Sequence, residues 1–115
     1  MHVVAIDHLD AHDVTSFGSR GFGVIPVAAE AHVIVATLAP GGVIARHPAV
    51  VDQVLVMLSG EAEVSGEDAV AHVLRPGSAA LWRAGESHET SSRQGMTALI
   101  VEADGIAATL AQADS

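Results

Sequence analysis

Cysteine is absent from this sequence, and its aromatic side chains beyond histidine number three: Phe17, Phe22 and Trp82. Without cysteine there is no disulfide framework, no thiolate metal site and no cysteine nucleophile, and the redox compartment is left open. Basic residues are scarce as well: five Lys and Arg stand against 14 Asp and Glu, a formal charge of −9. A surface of that sign repels phosphate backbones and anionic lipid, so nucleic acid and membranes are poor partners. No run approaches the roughly 20 apolar residues that a membrane-spanning helix requires. The opening residues Met-His-Val-Val-Ala-Ile-Asp lack the basic segment and apolar run of a secretory signal, which makes the cytoplasm the expected location.

What is present is aliphatic. Half of the 115 residues are hydrophobic and 17% are charged, the balance of a compact globular chain, and the length suits one domain spanning 1–115. With so few aromatics, Val, Ala, Ile and Leu must fill the interior, and the many β-branched valines favour strands. Short apolar segments punctuated by Gly and Pro recur about a hairpin apart: 32–38, 43–46, 53–59, 61–65, 69–74, 78–82, 86–91 and 97–103, with 3–7 as an edge strand. That spacing predicts an all-β barrel or sandwich, and the lack of alternating helical patterns disfavours a parallel α/β sheet. Only 106–113, after Gly105, reads as a helix. The polar stretch 8–20 reads as a surface connection, with His2, His8 and His12 in solvent.

Some strands are apolar on both faces. Within 53–58, Leu55 and Met57 fall on one side while Val54, Val56 and Leu58 fall on the other, whereas a solvated face would alternate with polar residues. The outer face is therefore expected to be covered, by edge elements of a second sheet or by another subunit; a homodimer follows from the latter.

Two blocks carry the candidate chemistry. In 41–60, Gly41, His47, Gln53 and Gly60 are spaced by five, five and six intervening residues; in 77–92, Gly77, Gly85 and His88 follow a second regular spacing. These blocks resemble the two motifs of the cupin superfamily, in which Gly-x5-His-x-His-x3,4-Glu-x6-Gly is followed by Gly-x5-Pro-x-Gly-x2-His-x3-Asn. Four positions depart from that pattern: Ala49 stands in place of the second His, Gln53 of the Glu, Arg83 of the Pro and Ser92 of the Asn. The resemblance implies an antiparallel jelly-roll β-barrel whose lumen can carry a divalent first-row metal. Full members offer three histidines and a carboxylate, donors suited to iron, manganese, nickel, copper or zinc.

This chain offers His47, His88 and the amide oxygen of Gln53. Two imidazoles and a neutral amide lose the charge attraction that an anionic ligand supplies. Glu86 is a possible replacement, because on an extended strand Glu86, His88 and Thr90 share one face, and two histidines with one carboxylate are ligand types of non-haem iron sites. Asp52, next to Gln53, should point the opposite way. The bland alternative is that His47 and His88 are hydrogen-bonded pocket residues without metal, and that His32 and His72 serve packing or solvent. Arg46, Trp82 and Arg83 are candidates to line a ligand pocket with Met57, since a guanidinium offers a fork of donors to a carboxylate and an indole offers a flat apolar wall. For each of these residues alone the bland reading is favoured: both arginines pair with surface acids such as Glu86 and Glu89, and Trp82 fills core.

No Gly-x-Ser-x-Gly elbow and no glycine-rich phosphate loop occurs, so a serine hydrolase or nucleotide enzyme is unsupported. Three functions stay open: a small-molecule-binding module without catalysis, favoured by the degenerate ligand set; a metal-dependent oxygenase or isomerase using His47, Gln53, His88 and Glu86; and a structural or partner-binding domain.

Overall fold

The computed structural model describes residues 1–114. Eleven strands and one helix follow in the order β1 (His2–Ala5), β2 (His12–Asp13), β3 (Gly23–Val24), β4 (His32–Leu38), β5 (Gly42–Pro48), β6 (Gln53–Gly60), β7 (Ala62–Ser65), β8 (His72–Leu74), β9 (Ser78–Trp82), β10 (Ser87–Ser92), β11 (Met96–Glu102) and α1 (Ile106–Ala113). A five-stranded sheet is ordered β1-β9-β6-β11-β4, a four-stranded sheet β5-β10-β7-β8, and β2 and β3 form a small separate ribbon. Every pairing is antiparallel. From β4 onward the chain passes from one sheet to the other at every step except β7 to β8, which pair as a hairpin, and the result is a jelly-roll barrel.

The lumen is filled by residues of period two from both sheets: Leu55, Met57, Ala80, Trp82, Ala98 and Ile100 from the larger, Ala62, Val64 and Leu74 from the smaller. Strand ends are set by glycine where the backbone demands it. Gly60 closes β6 at φ 80°, and a Cβ there would run into the carbonyl oxygen of Gly95, just before the neighbouring strand β11. Only glycine permits both the left-handed backbone and that approach.

The strand expected over 69–74 is confined to β8, His72–Leu74. Its first half continues the preceding turn: Ala69 adopts φ 59° and donates its N–H to the Gly66 carbonyl at 3.0 Å, and the Val70 N–H binds the Asp68 carboxylate at 3.0 Å.

The second apolar face has a different cover from the one expected. Val4, Val54, Ala79 and Leu81 on the outer side of the large sheet pack against Ile106, Ala107 and Leu110 of α1. The chain covers part of its own outer face with its terminal helix, which removes one reason for invoking a second subunit there. Farther along the same face, Val33, Val35 and Leu58 are exposed.

Candidate functional site

The two histidines lie opposite each other on β5 and β10, and a bulge puts them there. Ser91 pairs with Val43 and Thr90 with Ile44, but the next pair is His88 with His47. The step is two residues on β10 and three on β5, so β5 carries one extra residue. Without it, His47 would have the parity opposite to Ile44 and face outward; a bulge re-aims a side chain in this way. Residues 88, 90 and 92 of β10 point inward and are buried.

Their rings form a column with the single tryptophan. Trp82 and His88 have ring centroids 4.7 Å apart with planes tilted by 34°, and His88 and His47 are 4.5 Å apart with a tilt of 54°. Trp82 is fully buried, His88 is 2% exposed and His47 lies in solvent at the rim. Each ring is tethered to backbone. Trp82 Nε1–H donates to the Ser65 carbonyl at 3.1 Å, His88 Nδ1 is 3.2 Å from the Glu86 carbonyl, and His47 Nδ1 is 2.7 Å from the Ala45 carbonyl. A carbonyl can only accept, so both histidines carry their proton on Nδ1 and, when neutral, present a bare Nε2. Burial holds the His88 imidazole below the usual histidine range; the charge of a protonated His47 pushes the same way, and the bond to the Glu86 carbonyl opposes both.

The other sequence candidates divide by position. Gln53 pairs with Trp82 across β6 and β9 and shares the inner face with Leu55 and Met57, so it is on the side of the histidines. Met57 is part of the buried core around Trp82. Trp82 is a fully buried core residue and the base of the column, not an open wall of a ligand pocket. Arg46 turns across to β7, where its guanidinium binds the Gly66 carbonyl at 2.9 Å and the Ser65 hydroxyl. Arg83, one residue beyond β9, lines a surface cleft with His2, Leu81, Ala107 and Ala111, on the helix side of the sheet.

Glu86 does not join the histidines. It precedes β10, inside a turn closed by its own N–H donating to the Arg83 carbonyl at 3.0 Å, so the period of two does not reach it. Its carboxylate instead takes the Met1 ammonium and the backbone N–H of Arg83. Burial raises its pKa, but these hydrogen bonds and the ammonium outweigh that and hold it below the usual carboxylate value. What Glu86 gives His88 is its backbone carbonyl.

Among the described residues no three His, Asp or Glu side chains come together so as to hold a metal ion, and no buried polar side-chain atom lacks a partner. The donors on this face, two imidazoles and one neutral amide, include no anionic ligand to attract a divalent ion. Sequence reasoning also passed over Ser65. Its carbonyl holds Trp82 and its hydroxyl meets Arg46, and nothing about a serine ending a short strand signals that double use.

Comparison with known proteins agrees with this fold. The family model described as the cupin domain matches residues 34–102. No curated protein matches the chain. Among solved structures, it is similar to a cupin superfamily protein of Desulfitobacterium hafniense, with 17% identity, a TM-score of 0.61 and coverage of 67% of this chain and 70% of that one. The DMSP lyase of Ruegeria pomeroyi is 22% identical, with a TM-score of 0.60, over 65% of this chain but 39% of the lyase. The cupin domain of Drosophila melanogaster CENP-C is 16% identical, with a TM-score of 0.56, over 62% and 59% of the two chains. One of these proteins is a lyase and another is a domain of CENP-C, so at these identities the likeness carries fold and not reaction.

Proposed function

We propose that this chain, which belongs to the cupin domain family, is a small-molecule-binding module that takes a small oxygenated ligand at the rim of its barrel, against the Nε2 atoms of His47 and His88. The observation that carries this reading is the tethering of both rings through Nδ1 to backbone carbonyls. It fixes one tautomer and leaves an unprotonated Nε2 on each of two rings whose centroids are 4.5 Å apart, the outer one in solvent. A ligand hydroxyl or N–H can donate to them, and on protonation of the exposed His47 the same place offers a donor to a carboxylate. Arg46 is engaged with Ser65 and Gly66, which argues against a guanidinium clamp and for an uncharged or singly charged ligand.

The test is a thermal-shift and calorimetric screen of small carboxylates and hydroxylated compounds, run on protein whose metal content has been measured. At least one compound should raise the melting temperature, and His47→Ala combined with His88→Ala should abolish the shift while the protein stays folded. Near-stoichiometric iron, manganese, nickel or zinc, lost in the double variant, would overturn this reading in favour of a metal-dependent enzyme. A stable complex with another protein, and neither ligand nor metal, would make it an interaction domain.

As macromolecular partner we assign a second copy of the chain. Strand β4 is a free edge of the large sheet and carries no Lys, Pro or inward-facing acid over its seven residues, the devices that usually keep an edge from pairing. An antiparallel pairing of β4 with its own copy is self-complementary, as a twofold interface must be. It would bring Val33 and Val35 of both copies onto one continuous face.

A further inference from the structure

The loop that follows His47 and the turn that precedes His88 are laced together. The Ala49 N–H donates to the Glu86 carbonyl at 3.0 Å and the Gly85 N–H to the Ala49 carbonyl at 2.7 Å. The Glu86 carbonyl thus receives both Ala49 and the His88 ring, and the position of the turn 83–86 sets the position of that ring. Glu86 ties this assembly to the Met1 ammonium, and a different side chain, Asp52, ties it to α1. Asp52, in the loop between β5 and β6, accepts the Ala84 N–H on Oδ1 at 2.9 Å and the Ala107 N–H of α1 on Oδ2 at 3.1 Å, and its carbonyl accepts the Ala103 N–H at 3.1 Å.

We propose that Asp52 is a positioning residue for the histidine pair: it joins the N-terminus of α1 to the turn that holds His88, so that docking of the terminal helix and the setting of the ring column are one event. The helix begins at Ile106 after Gly105 and has no capping side chain of its own, so an oxygen from another part of the chain takes a first-turn N–H that would otherwise need water. Because Asp52 spends its two oxygens on two different elements, the bond to the turn and the bond to the helix share one carboxylate plane. A displaced helix tilts that plane and pulls on Ala84. The other end of α1 is tethered independently, since the Asp10 N–H binds the Ala113 carbonyl at 2.8 Å and His2 pairs with Asp114 at 2.9 Å. Loss of Asp52 therefore frees the start of the helix and not its whole length.

This inference deepens the binding-site reading and rests on it for its functional meaning, but its test needs no ligand. Nitrogen-15 spectra of the histidine rings near neutral pH should show His88 of the wild type as a single Nδ1–H tautomer with a slowly exchanging ring proton. Asp52→Asn keeps the shape and one acceptor but turns a donor toward either Ala84 or Ala107, so it breaks one of the two bonds. Whichever bond is lost, it should mix the His88 tautomers, and where the helix bond is the one lost it should also speed exchange of the Ala107 amide by roughly fivefold, the scale of a lost helix cap, while the protein stays folded. Asp52→Ala, where it folds, should do both more strongly. A lowered melting temperature with an unchanged His88 ring signal in Asp52→Asn would overturn the proposal, since it would make Asp52 a helix cap and nothing more. Failure of every compound to bind the wild type would sink the binding-site reading and leave the ring-signal outcome to decide on Asp52.

Discussion

His88 is the buried middle ring of a three-ring column, and its environment disfavours its charged form. The consequence for stability has a definite sign. The folded-state pKa lies below the ordinary 6.5, so on acidification the unfolded chain takes up this proton first. The contribution of His88 to stability is fully present above pH 6.5 and declines as pH falls through the window between 6.5 and the lower folded-state value. Urea denaturation of wild type and His88→Gln across pH 5 to 8 should show the difference between the two shrinking on the acid side of 6.5; a difference independent of pH would contradict the assignment. Glu86 acts with the same sign at lower pH, because its folded-state pKa lies below the ordinary 4.5. Its share is present above 4.5 and lost below it, so the two titrations separate.

At the scale of elements, the pairing of β6 with β11 depends on a glycine whose role differs from that of its motif partner. Gly41 and Gly60 both have positive φ, 81° and 80°. A Cβ at Gly41 meets nothing within 4 Å, whereas one at Gly60 collides with the Gly95 carbonyl. Gly41→Ala should therefore cost only the left-handed strain, about 1 kcal/mol. Gly60→Ala should cost about 2–3 kcal/mol or more, because the β6–β11 register must also shift. Chemical denaturation of the two variants checks this, and equal losses would show that the interstrand contact does not matter. The same scale explains α1. Ile106 is 1% exposed and sits against Val54 and Leu81, so Ile106→Ala should lose about 2–5 kcal/mol, far more than an eight-residue helix could contribute on its own.

At the scale of the whole molecule, a chain of charge −9 associates with its copy only where apolar area is concentrated enough to outweigh repulsion. Val33, Val35 and Leu58, 55%, 67% and 51% exposed on one face, form that area. Sedimentation at micromolar concentration should give twice the 11.7 kDa mass, and Val35→Lys should give the monomer with little change in melting temperature. A wild type that sediments as a monomer would contradict the assigned partner. Much of this architecture was open to a reader of residues alone. Strand periodicity and glycine punctuation determine the all-β class, the bounds of β4, β9 and α1, and the spacing of His47 and His88, because each is a local property of backbone conformation or of side-chain alternation. Other features were decided only by the tertiary structure, since they arise between segments far apart in the chain. The β5 bulge brings His47 onto the inner face. Glu86 turns to the Met1 ammonium and gives His88 a carbonyl where a third ligand was expected, and part of the outer sheet face is covered by the chain's own α1. The physical reason is common to all three: an alternation rule holds within a strand, and a bulge, a turn or a helix docked from elsewhere ends its reach.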